Sequence, residues 1–350
     1  MRMLIFAARL AGRRQTAIWK RKDSKTYMLR AMTSAVSGLR GHQQKLDVIG
    51  NNIANVNTVG YKSQSYTFKD TMYQSATGST NGTDKAGGVN AAQYGYGSVM
   101  GTISMDMTGS SATYVSGFAA SIDGQGFFIT KASKDDKVTL QQANNAATAA
   151  TNSTELKNAN FEYTRVGKFI VDSQGYIVDG NGNFVYGYRS TNTDGTTNTT
   201  PLEALRIPKE VAADGTITIS NAYGDGEALE AESVKLNKAG DIEAVLTVNG
   251  KTQTVKIGTL GIATFQNQDG LTKNGNSYYT SSLSDNTGVC SAGKPGDGRG
   301  SLMPGYLETS NVDMAVEFSE MIMAERGFQA NSKIITVSDE ILSDLISMKR

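Results

Sequence analysis

Met28-Leu-Arg-Ala-Met-Thr-Ser-Ala-Val-Ser-Gly-Leu39, followed by Leu46-Asp-Val-Ile-Gly-Asn-Asn-Ile-Ala-Asn-Val-Asn-Thr-Val-Gly-Tyr-Lys62, is the stretch that decides the fold. Its apolar side chains recur every seven residues: Met32, Leu39, Leu46 and Ile53 form one column, and Ala35, His42, Ile49 and Val56 follow three positions later. That spacing predicts an amphipathic helix with a narrow apolar seam. The run stops among Asn51, Asn52, Asn55 and Asn57 ahead of Gly60, residue types that tolerate the left-handed backbone of a helix end. The far end of the chain has the same design. Met314, Met321, Phe328, Ile335 and Leu342 are spaced by seven, and Phe318, Ala324, Leu345 and Ile346 widen the stripe. Helices this long with seams this narrow depend on a packed apolar face for most of their stability in water, so each end needs the other or a neighbouring molecule.

Between the helices the period falls to two. Lys168 to Tyr188, with its turns at Ser173-Gln-Gly175 and Gly180-Asn-Gly182, reads as consecutive strands. Further strands are predicted over 94–105, 121–130, 241–248, 252–257 and 261–266, and 38 glycines against 4 prolines fit a turn-rich antiparallel body. Two stretches are poorer in pattern, 131–160 and 190–232, and are expected to be surface insertions. The predicted architecture is therefore α+β. Paired, coiled-coil-like terminal helices (28–60 and 310–350) flank a mainly antiparallel β domain (61–189 and 233–309), with a short outer insertion at 190–232. At 350 residues the chain exceeds what one core usually serves, roughly 100 to 200 residues.

Residues 1–27 carry eight basic side chains and one acidic, so the chain's net +1 less this segment's +7 leaves −6 for the remainder. A mildly acidic body gives no electrostatic footprint for nucleic acid. The apolar run Leu4 to Ala8 is broken by Arg9, too short for a signal peptide and far too short to cross a bilayer. Translation is expected to begin at Met28, with 1–27 as an upstream basic extension.

Catalytic chemistry finds little purchase. Cys290 is the one cysteine and His42 the one histidine, and His42 lies in the helical seam, so a nucleophile with a histidine base would have to be built from that residue. Asp179-Gly-Asn-Gly-Asn183 has the start of a calcium loop, but Phe184 and Ser190 stand where glycine and glutamate are required. Gly124-Gln-Gly126 and Gly296-Asp-Gly-Arg-Gly300 lack the lysine and the strand-to-helix setting of a phosphate loop. Neither a cofactor nor a metal is expected, and the chain is not expected to be an enzyme.

The two strings of the opening helix resemble the amino-terminal signature of flagellar rod and hook axial proteins. Ile122-Asp-Gly-Gln-Gly-Phe-Phe128 and Tyr163-Thr-Arg-Val-Gly-Lys-Phe169 are similar to that family's central β motifs. Gly305-Tyr-Leu-Glu-Thr-Ser-Asn-Val-Asp313 and Met321-Ile-Met-Ala-Glu-Arg-Gly-Phe-Gln-Ala-Asn-Ser-Lys333 resemble its carboxy-terminal signature. The matching signature residues are Asn51, Asn52, Asn55, Asn57, Gly60, Tyr61, Asn311, Arg326, Gln329 and Asn331. The resemblance implies a structural subunit that polymerises into a helical tube through Met32, Leu39, Leu46, Ile49, Ile53, Met314, Phe318, Met321, Phe328, Ile335 and Leu342. It further implies export through the flagellar type III apparatus without a cleaved signal, a place outside the cell in the hook and basal body, and contacts with distal rod, hook-cap and hook-filament junction proteins. Asp313 to Met321 and Ala263 to Leu271 look hook-like, which makes the hook the expected member. The shortness of 190–232 leaves the distal rod as the alternative, and a monomeric secreted adhesin is the reading from another class.

Overall fold

The computed structural model describes residues 30–83, 87–115, 117–134, 138–141, 146–189, 199–207, 231–248, 251–296 and 298–348, so the basic extension 1–27 and most of 190–232 lie outside the described residues. The chain divides into two compact units, the first made of 30–54, 64–104 and 313–348, the second of 55–63 and 105–312. Both strand-rich and helical elements are present and every strand pairing with an assigned direction is antiparallel, so the class is α+β.

The first unit holds helix α1 over 30–54 and a second long helix, Met314–Ser347. The latter is α3, since a shorter helix, α2 (Ala146–Asn158), intervenes in the other unit. Asp313 starts α3: its carboxylate accepts hydrogen bonds from the backbone N–H of Ala315 at 2.8 Å and Val316 at 3.3 Å, relieving two donors that a helix start leaves unpaired. Strand Gln64–Asp70 pairs with Ser98–Met105, and beyond it an arm of two short strands, Tyr73–Thr77 and Ala92–Gly95, is exposed along its length. The strand predicted over 94–105 is broken at Gly97, whose φ of +104 turns the backbone against Ser34 and Ser37 of α1.

In the second unit the principal sheet runs Ala231–Leu236, Asp241–Val248, Lys251–Leu260, Phe184–Arg189, Phe127–Lys131, Glu162–Thr164, Tyr278–Thr280 and Thr272–Gly275. Phe127, Ile129, Tyr163, Tyr186, Leu202 and Tyr279 fill one core cluster; Phe128, Ile177, Val185, Ile242, Leu260 and Ile262 fill another. Adjacent residues fall in different clusters (Phe127 and Ile129 against Phe128; Tyr186 against Val185), as expected of a sheet buried on both faces. The described parts of the two stretches read as surface insertions are built into this core. Within 131–160, Val138–Gln141 adds a strand, and α2 buries Leu156 completely and joins the sheet through Ser153, whose Oγ accepts from Cys290 N at 2.9 Å. Residues 199–204, the described start of the 190–232 region, ladder with Phe184–Arg189 and bury Leu202. Polar composition misled there because a helix packed by a single leucine and small residues has almost no apolar period. Among the described residues no helix is long and apolar enough to cross a membrane.

Replacing Asp313 with alanine should cost about 1 kcal/mol of local helix stability. Amide exchange in 314–318 should then rise while the middle of α3 stays protected.

Candidate assembly site

Four contacts set the direction and register of α1 against α3. Asn52 meets Glu317, Lys45 meets Glu320, His42 lies against Gly327, and Gly38 lies against Asn331, so the helices run antiparallel. Glycine at two of these places permits the approach: a Cβ on Gly38 would come within 2.7 Å of Asn331 Nδ2. Asn52, 1% exposed, is the polar pin of the pair. Its Nδ2 donates to Glu317 Oε1 and to the Gln64 carbonyl, both at 2.8 Å, and its Oδ1 accepts from Gln64 N at 3.0 Å. Burial raises the Glu317 pKa, against the smaller lowering effect of the Asn52 hydrogen bond.

Ala35, Val48 and Ile49 of α1 and Ala324 and Ser338 of α3 are buried. Of the predicted seam, Ile49 is therefore fully covered, Met32, Leu39, Leu46, Ile53, Met321, Ile335 and Leu342 are half-buried, and Met314, Phe318 and Phe328 are exposed. Among the signature asparagines, Asn55 accepts from the Thr58 hydroxyl at 3.1 Å and shapes the turn after α1, while Asn51 and Asn57 are exposed. Asn331 packs on Gly38; Arg326 and Gln329 hydrogen-bond each other at 3.3 Å on the exposed side of α3.

Gly60, Tyr61 and Asn311 belong to the second unit, where they surround a buried ionic knot that sequence reading missed. Lys62, Glu308 and Arg165 are respectively 0%, 1% and 0% exposed. Glu308 Oε1 accepts from Lys62 Nζ at 2.8 Å and from Ser110 N at 3.2 Å; Glu308 Oε2 faces the Arg165 guanidinium at 3.5 Å. The guanidinium is stacked 5.0 Å from the centre of the Phe127 ring, and Lys62 Nζ also donates to Thr108 O at 2.5 Å. The Glu308 carbonyl takes the N–H of Gly60, whose φ of +67 suits glycine. Asn311 extends the knot, its Oδ1 accepting from Ser63 N at 2.7 Å and its Nδ2 donating to Asp106 O at 2.9 Å. Three segments remote in sequence, 60–63, 106–110 and 308–311, are thereby bound together. Two cations share one carboxylate, and burial lowers the pKa of both Lys62 and Arg165 while Glu308 opposes the shift. Each of the three charged residues sits inside a string that carried the family resemblance, which is the one signal that pointed to them.

None of this is catalytic machinery. Among the described residues no cluster of His, Cys, Asp and Glu could hold a metal. The Cys290 thiol is buried and pushed up to about 12 by that burial, far from the thiolate a nucleophile needs.

Sequence comparison decides the family. The FlgG flagellar basal-body rod protein of Bacillus subtilis is 39% identical over 326 residues, covering 92% of this chain and all of that protein. The chain belongs to the flagellar rod and hook protein family. A family model described as "Flagella basal body rod protein" matches residues 32–62, and one described as "Flagellar basal body rod FlgEFG protein C-terminal" matches 303–348. The FlgE flagellar hook protein of Borreliella burgdorferi is 27% identical over 470 aligned positions, covering 92% of this chain and all of the hook protein. A FlgG rod protein of Caulobacter vibrioides is 26% identical over 318 positions. The relatives are structural components of the flagellar rod and hook, and this family member is likewise a structural protein rather than an enzyme. The two family models cover α1 with the turn to Lys62, and the approach to α3 with α3 itself. They therefore include Lys62 and Glu308 but not Arg165.

Glu308→Gln removes the counter-charge from two buried cations and should destabilise the second unit by about 3–5 kcal/mol. Urea denaturation of the full chain should show it, and Arg165→Met placed on the Glu308→Gln background should recover part of the loss.

Proposed function

We propose that the chain is a subunit of the distal rod of the flagellar basal body, assembled into a helical shaft by its terminal helices. The observation that carries the assembly reading is a second apolar stripe on α3. Val316, Met323, Ala330 and Val337 are spaced by seven, and Ile334 and Ile341 by seven beside them. At 100° per residue this line lies roughly a quarter turn round from the Ala324, Asn331 and Ser338 line that faces α1. Its large side chains are bare: Val316 is 54% exposed, Met323 59% and Ile341 46%. A surface helix needs one apolar stripe for its own core, and a second marks a further partner. On α1 the half-buried column Met32, Leu39, Leu46 and Ile53 has the same seven-residue period. A second copy of the chain therefore suits the vacant stripe, and a head-to-tail contact repeated by a screw operation yields an open helical polymer. Coiled-coil packing of the terminal helices, export through the flagellar channel without a cleaved signal, and a position outside the cytoplasmic membrane follow from this reading. Its axial neighbours are then other members of the same family.

Rod is favoured over hook by similarity and by length. The B. subtilis rod protein aligns over 326 positions, whereas the hook proteins of Borreliella burgdorferi and Treponema pallidum need 470 and 468. The hook proteins thus carry a large segment for which this chain has no counterpart. The hook-like strings at 263–271 and 313–321 weigh less than that difference, because motifs at the helices and β body are shared between rod and hook whereas an inserted domain is not.

Two experiments test the reading. Met323→Asp and Val337→Asp put a charge on the bare stripe and should raise the critical concentration for polymerisation at least about tenfold, the equivalent of 1.4 kcal/mol, with unchanged circular dichroism. Immunogold labelling of detached hook and basal-body complexes, with antibody against 190–232, should decorate the straight shaft below the hook. Gold along the curved hook would overturn the rod assignment in favour of the hook.

A further inference from the structure

His42, the one histidine of the chain, is half-buried between α3 and the strand Gln64–Asp70. Its ring lies 5.2 Å from the Phe68 ring, tilted by 57°. The opposite edge is pressed on Gly327 of α3, where a Cβ would stand 2.5 Å from His42 Cε1. Nδ1 is buried and hydrogen-bonds no described residue. The charged and titratable groups around the ring can be named element by element. On α1 the neighbour is Lys45. On α3, Glu320 is taken up by Lys45 Nζ at 3.1 Å, while Glu325 and Arg326 both hydrogen-bond Gln329 on the exposed side. The strand Gln64–Asp70 offers Phe68 and the Tyr66 phenol, which donates to Gln44 at 3.2 Å; its Lys69 and Asp70 are exposed. The nearest acid on α3 is thus already committed to Lys45, and among the described residues no carboxylate is left to pair with a charged ring.

We propose that His42 is a proton-operated joint in the helix pair: mild acid places a charge on a ring packed as a neutral group beside Lys45, and α1 loosens from α3. Burial, and secondarily the Lys45 charge, lowers the His42 pKa from its ordinary 6.5. The folded pair therefore binds this proton less readily than the unfolded chain. Its contribution to stability is complete above about pH 6.5 and is lost as pH falls from there through the depressed folded value. Loss of the α1 contact strips Ala35, Ile49 and Ala324 of their cover, so protonation is transmitted along the whole pair rather than confined to one side chain. The inference concerns a contact within one chain and holds for a rod or a hook subunit alike.

The test uses the full chain, as polymer or soluble protein, in whichever form 30–54 and 314–347 are protected from amide exchange. Protection, corrected for intrinsic exchange, should fall in both helices between about pH 7 and about pH 5 in the wild type and stay level in His42→Gln. Because there is one histidine, its ring 15N shift reports the titration directly in the unaltered protein, and its midpoint should lie below 6.5. A midpoint at or above the ordinary value, equal acid sensitivity in His42→Gln, or helices unprotected in every form would each overturn the proposal. Failure of the chain to polymerise would count against the assembly reading alone.

Discussion

Glu308, with Asn311 beside it, binds together three segments of the second unit that are far apart in sequence. The chain crosses at 54/55, 63/64, 104/105 and 312/313, and the second-unit residues next to those crossings are the ones bound by Glu308 and Asn311. Lys62 and Ser110 bond the Glu308 side chain, Gly60 bonds its carbonyl, and Ser63 and Asp106 bond Asn311. A buried ion pair is a poor device for raising stability, since desolvation consumes much of the Coulombic gain. Its use lies in directionality. An apolar plug would pack several ways, whereas a carboxylate with two cations and one backbone donor is satisfied in one arrangement. For a structural protein, a single defined arrangement of these segments matters more than a few kcal/mol.

The helix pair follows a different logic. Its contact is made with glycine, alanine, serine and asparagine, so the helices approach closely but bury modest apolar area, and at roughly 25 cal/mol per Å² the pair gains little on its own. The larger apolar side chains of α3 are turned elsewhere: Ile322 is 58% exposed and Met323 59%. Helices whose largest apolar residues remain wet fall short of full burial, and under the assembly proposed above neighbouring copies would complete it. The small-residue contact is also the part most sensitive to a single misplaced group, whether a methyl on Gly327 or a proton on His42.

Much of this was legible in the amino-acid sequence, and the boundary of legibility is physical. The heptads of α1 and α3, the Asn-rich stop before Gly60 and the alternating strands over 168–189 were readable because each is a periodicity of the local backbone. The family was readable for a related reason, as its signature strings lie in those regular elements and at their ends. Strand breaks at Gly97 and at Gly124 to Gly126 were blurred, since a positive φ interrupts a strand without interrupting its apolar pattern. Helix α2 was missed because its buried face is one leucine among small and polar residues.

What the sequence by itself determined is therefore the two terminal helices, much of the β body, the fold class and the kind of protein they make. Tertiary structure alone decided that α1 packs on the small-residue line of α3 and leaves the larger apolar stripe bare, because a period shows which residues share a face but not which face meets a partner. It alone joined Lys62 to Glu308 across 246 residues and placed Arg165 beside them. Ionic partners so far apart leave no period for a sequence to display, and only the fold brings their charges within reach of each other.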